Sequence, residues 1–335
     1  MARPDFWRNR GWTGSLSLYG WLAAIALGAS LGIAACTASN EGKNGDDDDD
    51  DGGSNGNGGA GGVSSSSDGA GGAGGSIFNP STSTGTGTGG PSDCSEAAKL
   101  IYIIGSGNQF YSFHPPTLEI TSIGTINCPQ NGGFASPFSM AVDRKGVAWV
   151  LFTDGKIYNV DTATATCTAT NFQPNQQGLS TFGMGYVSDS PGSETETLFI
   201  ADYYGSGIAT IDTDTLTVSQ VRPYNDISTA AELTGTGDAR LYGFFQGSPI
   251  IIAEIDRMTG NIISQAPQPT ITIGSGWAFA FWGGDFYTFT NPDGGGSQID
   301  RYQPSTGVTT TVLTGLSDNI VGAGVSTCAP TEPPQ

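Results

Sequence analysis

The feature that most constrains this chain is a turn phrase that returns at intervals of 44 to 51 residues. In Asp256-Arg257-Met258-Thr259-Gly260 an Asp is followed three residues later by Thr, between the apolar run 250–255 and a second strand-like run at 261–265. The phrase recurs at Asp161–Thr164 and Asp212–Thr215, with weaker copies at His114–Thr117 and Gln303–Thr306. Thr117, Thr164, Thr215, Thr259 and Thr306 are thus separated by 47, 51, 44 and 47 residues. Asp caps the backbone two residues on and Gly accepts positive φ, so the phrase reads as a hairpin turn. A unit of this length with strands on both sides predicts one four-stranded blade of a β-propeller. Such turns build a scaffold and carry no chemistry.

The segments between the turns fit that reading. KLIYIIG, GVAWVLF, TLFIADY, PIIIAEI and DFYTFTN are β-branched, aromatic and alternating, and no run of ten or more residues carries a capped helical period. Each unit opens with a strand of small and apolar residues: 138–143, 182–187, 232–237, 277–282 and 320–325. Small residues suit the innermost strand, where blades crowd around the axis. The last such strand has nothing after it to complete a blade, so its partners are expected from residues 99–124. The prediction is an all-β, five-bladed propeller whose last blade is closed by both chain ends, which also removes free sheet edges. Six blades follow if 222–250 hides an irregular one.

The N-terminus predicts export. Arg3, Arg8 and Arg10 precede an apolar run of 18 residues, 18–35, which suits a signal h-region. Ile33-Ala34-Ala35-Cys36 resembles the lipobox of bacterial lipoproteins. The resemblance implies cleavage before Cys36, a diacylglyceryl group on its thiol and acylation of its new amine. Each buried CH₂ contributes about 0.8 kcal/mol, and two chains already suffice for stable anchoring. Thr37 after the Cys resembles the outer-membrane sorting pattern.

Residues 37–93 are almost entirely Gly, Ser, Asn, Asp and Thr, with an unbroken Asp run from Asp46 to Asp51. Such a segment buries too little surface to offset its ordering entropy, so a disordered tether is expected. Its 57 residues reach roughly 40 Å. The pattern of lipid and tether resembles surface lipoproteins of Gram-negative bacteria. The whole chain carries 12 Lys and Arg against 31 Asp and Glu, a net charge of −19, which excludes a phosphate-binding surface and nucleic acid as partner. The expected domains are a signal peptide at 1–35, lipidated Cys36 with its linker at 36–93, the propeller at 94–328 and a disordered tail at 329–335.

Within the domain, 139–161 resembles one blade of NHL-like (YVTN-type) propellers of six or seven blades, and the other units resemble them loosely. Four Cys in an exported domain predict two disulfides. If both ends close one blade, Cys94 and Cys328 meet, leaving Cys128 and Cys167 on neighbouring outer strands.

Residues able to carry chemistry are few. The one His, His114, stands in a turn in place of Asp, and a lone His builds neither a His-rich metal site nor a Ser-His-Asp relay. The innermost strands offer Met140, Met184, Ala278, Ala280 and Gly324, with Glu232 the one acid, too few for a calcium cage. Asp143, Asp161, Asp212 and Asp256 fall in turns, so no carboxylate pair for glycoside hydrolysis is assigned. The GSG triplets at 105–107, 205–207 and 274–276 precede no helix, and 291–297 reads as a hairpin tip. Tyr203, Tyr204, Trp277, Phe279, Phe281 and Trp282 form either an aromatic sugar platform or inter-blade core. The expectation is a monomeric, non-enzymatic binding or adhesion module for a protein or glycan ligand, with no metal or cofactor. The alternative is a propeller hydrolase or lyase acting on sugar or cell-wall material.

Overall fold

The computed structural model describes residues 94–129 and 133–334. The signal segment, Cys36 and the linker lie outside the described residues. Twenty strands form five antiparallel sheets of four, and two short 3₁₀ turns lie at Ala97–Lys99 and Gln176–Gly178. Strands β1 (Ile101–Gly105), β2 (Gln109–His114) and β3 (Glu119–Thr125) belong to the first blade. The second holds β4 (Pro137–Val142), β5 (Val147–Phe152), β6 (Ile157–Asp161) and β7 (Cys167–Ala169). The third holds β8 (Phe182–Ser188), β9 (Glu196–Asp202), β10 (Ile208–Asp212) and β11 (Thr217–Val218). The fourth holds β12 (Ala231–Gly235), β13 (Leu241–Phe245), β14 (Ile250–Ile255) and β15 (Ile262–Gln268). The fifth holds β16 (Trp277–Trp282), β17 (Asp285–Thr290), β18 (Ser297–Gln303) and β19 (Val308–Leu316). The last strand, β20 (Ile320–Val325), pairs antiparallel with β1 from Ile101 opposite Val325 to Gly105 opposite Ile320, which completes the first blade.

The innermost strands β4, β8, β12, β16 and β20 pack on one another in a closed ring. This is the five-bladed propeller expected, and 222–250 forms a loop and regular strands of the fourth blade. Small residues on these strands have the predicted reason. A Cβ on Gly183 would collide with the backbone of Ala231, and one on Gly235 with the carbonyl of Tyr186, so two glycines set the approach of β8 and β12.

The core is divided into five clusters, one for each interface between neighbouring blades. Trp149 and Leu151 of the second blade meet Met184 and Ile200 of the third, and Phe244 of the fourth meets Phe279 of the fifth in a stack with centroids 5.5 Å apart. Middle strands are therefore buried on both faces, as in the five consecutive buried residues of β1 and β13. Truncating a side chain such as Phe244 to Ala costs about 3–5 kcal/mol.

The recurring phrase forms the hairpin between the third and fourth strand of every blade. In three copies the Asp carboxylate accepts the two amides expected of a cap: Ala163 and Thr164 on Asp161, Asp214 and Thr215 on Asp212, Met258 and Thr259 on Asp256, at 2.8 to 3.1 Å. His114 substitutes through a 2.8 Å contact of its Nδ1 with Thr117 Oγ1. The residue after each Thr is left-handed, with φ of 57° to 83° at Leu118, Ala165, Leu216, Gly260 and Gly307.

Both predicted disulfides are present. Cys94 and Cys328 lie with Cα atoms 5.7 Å apart, and Cys128 and Cys167 with Cα atoms 5.0 Å apart. The expected tail at 329–335 is corrected in part. Ala329 is buried, its amide donates to the Ser326 carbonyl, and the Pro330 carbonyl accepts from Gly283 at 2.7 Å, so the chain past Cys328 is held by the ring.

Candidate functional site

In a four-stranded meander the first and third hairpins fall at one end of the ring. The second hairpins and the connections between blades fall at the other. The Asp-x-x-Thr turns and the Cys94–Cys328 bridge thus share one end.

That end is closed by the residues after β20. Thr327 Oγ1 donates to Glu196 Oε2 at 2.8 Å on the third blade and accepts from Arg144 Nη1 at 3.1 Å on the second. A Cβ on Gly237 of the fourth blade would stand 2.5 Å from the Thr327 carbonyl, and Pro330 reaches Gly283 of the fifth. The segment Ser326–Pro330 therefore crosses the axis and touches the other four blades. Glu196 is half-buried in this contact, and its desolvation raises the carboxyl to about 7, against the opposing pull of the Arg144 amide and Thr327 hydroxyl.

The opposite end is open, with a cavity of about 240 Å³ on the axis. All five blades line it. Ser106 and Asn319 come from the first blade, Phe138 and Thr153 from the second, and Tyr203 from the third. Glu232 comes from the fourth, and Ser275 and Trp277 from the fifth. The rim is fixed by one repeated bond, in which the second hairpin of a blade donates to the residue just before its innermost strand. Ser106 donates to Asn319, Thr153 to Ser136, Tyr203 to Thr181 and Gln246 to Ala230, at 2.8 to 3.2 Å. Loops tied in this way present side chains with little ordering cost on binding.

The aromatic wall is positioned by its own turn. Asp202 accepts the Ser206 amide at 3.1 Å and hydroxyl at 2.6 Å, and Gly205 supplies φ of +78°, which turns Tyr203 over Phe138 with centroids 5.4 Å apart. Tyr203 and Tyr204 meet edge to face, and Tyr204 is 75% exposed. Trp277 leans on Phe244 from the fourth blade at 5.8 Å.

Beneath this wall lies Glu232, 3% exposed. It accepts the Ser139 hydroxyl at 2.7 Å, and Ser139 Oγ in turn accepts the Met184 amide at 3.1 Å. Burial holds the Glu232 carboxyl well above the usual carboxylate range, offset in part by the Ser139 hydroxyl and the Met184 amide.

The six aromatics expected as either platform or core are divided between the two roles. Phe279, Phe281 and Trp282 are buried among the blades, whereas Tyr203 and Trp277 line the mouth and Tyr204 stands beside Tyr203. Phe138 reads in sequence only as part of an innermost strand, although an aromatic residue opening a strand of small residues is a signal for it. The turn acids Asp143, Asp161, Asp212 and Asp256 bind local amides away from the mouth. The triplets GSG at 105–107 and 274–276 each supply one serine to the lining. Among the described residues no group of three or more His, Cys, Asp or Glu is placed to hold a metal.

A second cavity, of about 310 Å³, lies between the fourth and fifth blades at the closed end. Its Arg240 is taken by Glu254 through two bonds of 3.0 and 2.7 Å and lies over the Tyr242 ring at 5.1 Å. Arg240 is thus already engaged, and the axial mouth, lined by all five blades, is the better candidate.

No protein-family profile matches the sequence, and no curated protein matches it. Solved structures that resemble it include one described as a nidogen/laminin complex, with a TM-score of 0.45, 10% identity, and 67% of this chain and 97% of that chain covered. The extracellular domain of a protein described as a one-component system of B. thetaiotaomicron has a TM-score of 0.37 at 12% identity, covering 65% of this chain and 28% of that one. The same domain described as part of a hybrid two-component system gives 0.37 and 12%, covering 67% and 29%. None of the three carries a functional residue over to this chain.

Proposed function

We propose that this protein is a binding module, held at a bacterial outer membrane by acylated Cys36 on a Gly/Ser/Asp tether, with the axial mouth as its ligand site. Two disulfides mark the domain as an exported one. Among the described residues no helix is long and apolar enough to cross a membrane, and lipid at Cys36 supplies the attachment in this reading.

The observation that carries the proposal is a cavity open at one end and built by all five blades, with three aromatic rings, several hydroxyls and one carboxyl. A channel closed below by Ser326–Pro330 holds a ligand and does not conduct one. The cavity is just under the roughly 300–1,000 Å³ of sites for drug-sized ligands, so it takes a small molecule or the protruding end of a larger glycan or protein. Hydrolysis of a glycoside needs two carboxyls about 5–9.5 Å apart, and Glu232 alone among the described lining residues supplies one. Binding is thus favoured over the hydrolase or lyase reading.

The test is a glycan array together with a thermal-shift panel of small molecules, run on the full-length protein and on the double variant Tyr203→Ala/Trp277→Ala. A ligand that binds the parent and is lost in the double variant, at unchanged secondary structure, supports the mouth as the site. A ligand held equally by both proteins contradicts it.

A further inference from the structure

We propose that the axial mouth takes a small organic cation, an alkylammonium group, with Glu232 as its counter-ion and the rings of Phe138, Tyr203 and Trp277 as its walls. This rests on the reading of the mouth as the binding site and adds the chemical class of the ligand.

The charge pattern of the site points first to a cation. No Lys or Arg is among its described lining residues, so an anionic ligand meets no counter-charge from them. The groups placed directly against Glu232 are neutral. They are Ser139 on β4, the Met184 amide and Gly183 on β8, and Phe244 opposite it on β13. Of the other strands packed on β12, β16 and β20 hold no titratable side chain, and β9 holds the acids Glu196 and Asp202 and no cation. The Glu232 carboxyl is governed first by burial and then by the Ser139 hydroxyl and the Met184 amide. A buried carboxyl is normally matched by a cation or a full set of donors. Here the carboxyl has the Ser139 hydroxyl and the Met184 amide as donors, and the cavity it lines brings it no cation from the described residues.

The walls point the same way. Aromatic rings attract cations through their quadrupoles within about 6 Å, most strongly where water is excluded, and ammonium ligands are held in this way. Phe138 and Tyr203 stand together on one side of the axis, Trp277 is contributed from the fifth blade, and Glu232 lies between them on the fourth. The cavity of about 240 Å³ admits a headgroup of this kind and little more. The net charge of −19 raises the local concentration of cations around the whole protein.

Because burial favours the protonated carboxyl, a cation that binds the ionised form releases that proton to solvent. A neutral sugar stacked on the same rings releases none. Proton release therefore separates the two ligand classes even when the natural ligand is unidentified.

The experiment is calorimetric titration of the full-length protein, in a non-ionic detergent without choline, with choline and tetramethylammonium. The neutral isostere 3,3-dimethyl-1-butanol and methyl glycosides serve as comparison ligands. Choline is expected to bind at least tenfold more tightly than the isostere, since a hydrogen-bonded or contacting charge is worth that much. Titration in two buffers of different ionisation enthalpy should show release approaching one proton per ligand at mildly acid pH. Glu232→Gln should weaken choline at least tenfold, abolish proton release and leave the isostere unchanged, while Trp277→Ala weakens both. Equal affinity for choline and its isostere overturns the proposal, as does choline binding that Glu232→Gln leaves intact. Glycoside binding that is lost in Trp277→Ala, without choline binding, overturns the cation and preserves the mouth as the site. Absence of any ligand sensitive to Trp277→Ala overturns both.

Discussion

Ser139 of the second blade donates its hydroxyl to Glu232 of the fourth at 2.7 Å, across 93 residues of sequence and past the intervening third blade. The third blade joins the bond through the Met184 amide on Ser139 Oγ. Three innermost strands are thus tied by one small hydroxyl, buried beside the Glu232 that lines the mouth.

Removing that hydroxyl leaves a buried carboxyl and a buried amide short of partners. Ser139→Ala is therefore expected to destabilise the domain by about 1–3 kcal/mol, since the cost is that of unsatisfied buried groups. The midpoint of urea unfolding measures it. A loss below about 0.5 kcal/mol would show that water or a neighbouring donor replaces Ser139.

Closing the ring through Cys94–Cys328 spans 234 residues, whereas Cys128–Cys167 spans 39. Loop-closure entropy assigns the first about 5 kcal/mol and the second about 4, both upper bounds when the unfolded chain retains structure. Cys94→Ser/Cys328→Ser should lower the unfolding free energy more than Cys128→Ser/Cys167→Ser, because it also loosens the Ser326–Pro330 closure. The opposite order in denaturant melts would refute a ring secured at its ends.

Glu196 gives a pH dependence whose sign is fixed. Its carboxyl rises from 4.5 to about 7 on folding, through burial first. Between those values the folded state keeps a proton that the unfolded state has lost. Its stabilising contribution is therefore full below about 4.5, declines as pH rises to about 7 and is flat beyond. Glu196→Gln has no such decline, so its stability relative to the parent should grow with pH across that window by on the order of 1–3 kcal/mol. Glu232 is raised in the same direction but is present in both proteins and cancels. A difference independent of pH between about 4.5 and about 7 would contradict this account of Glu196.

Anchoring is tested at the N-terminus. Cys36→Ala is expected to release the protein from the membrane fraction or to leave its signal segment uncut. Mass spectrometry of the parent should find residue 36 first and acylated. An unmodified Thr37 or an intact Met1 at the terminus would exclude the lipoprotein reading.

The fold is legible in the sequence because it is written locally. The turn Asp212–Thr215 needs only neighbours in sequence to form, and small residues such as Gly183 and Gly235 register crowding at the axis wherever the blades come from. The closure of the first blade, and with it Cys94–Cys328, follows from counting strands. The mouth is less legible because its members meet only through the ring. Nothing local distinguishes Ser139 from other strand serines, or Trp277 from the buried Phe279 two residues on. The closure by Ser326–Pro330 is hidden because nothing local in 326–328 signals a cap over the axis and the Pro-rich 329–335 reads as a tail, whereas its order comes from Arg144, Glu196 and Gly283 on other blades.

The central claim is that ligand enters the ring at the mouth floored by Glu232. A crystal structure of the full-length protein bound to the ligand recovered by screening tests it most directly. Ligand density is predicted on the axis, within about 4 Å of the Tyr203 and Trp277 side chains, the distance of van der Waals contact. Density on the outer edge of a blade or at the closed end beside Thr327, with the mouth empty, would contradict it.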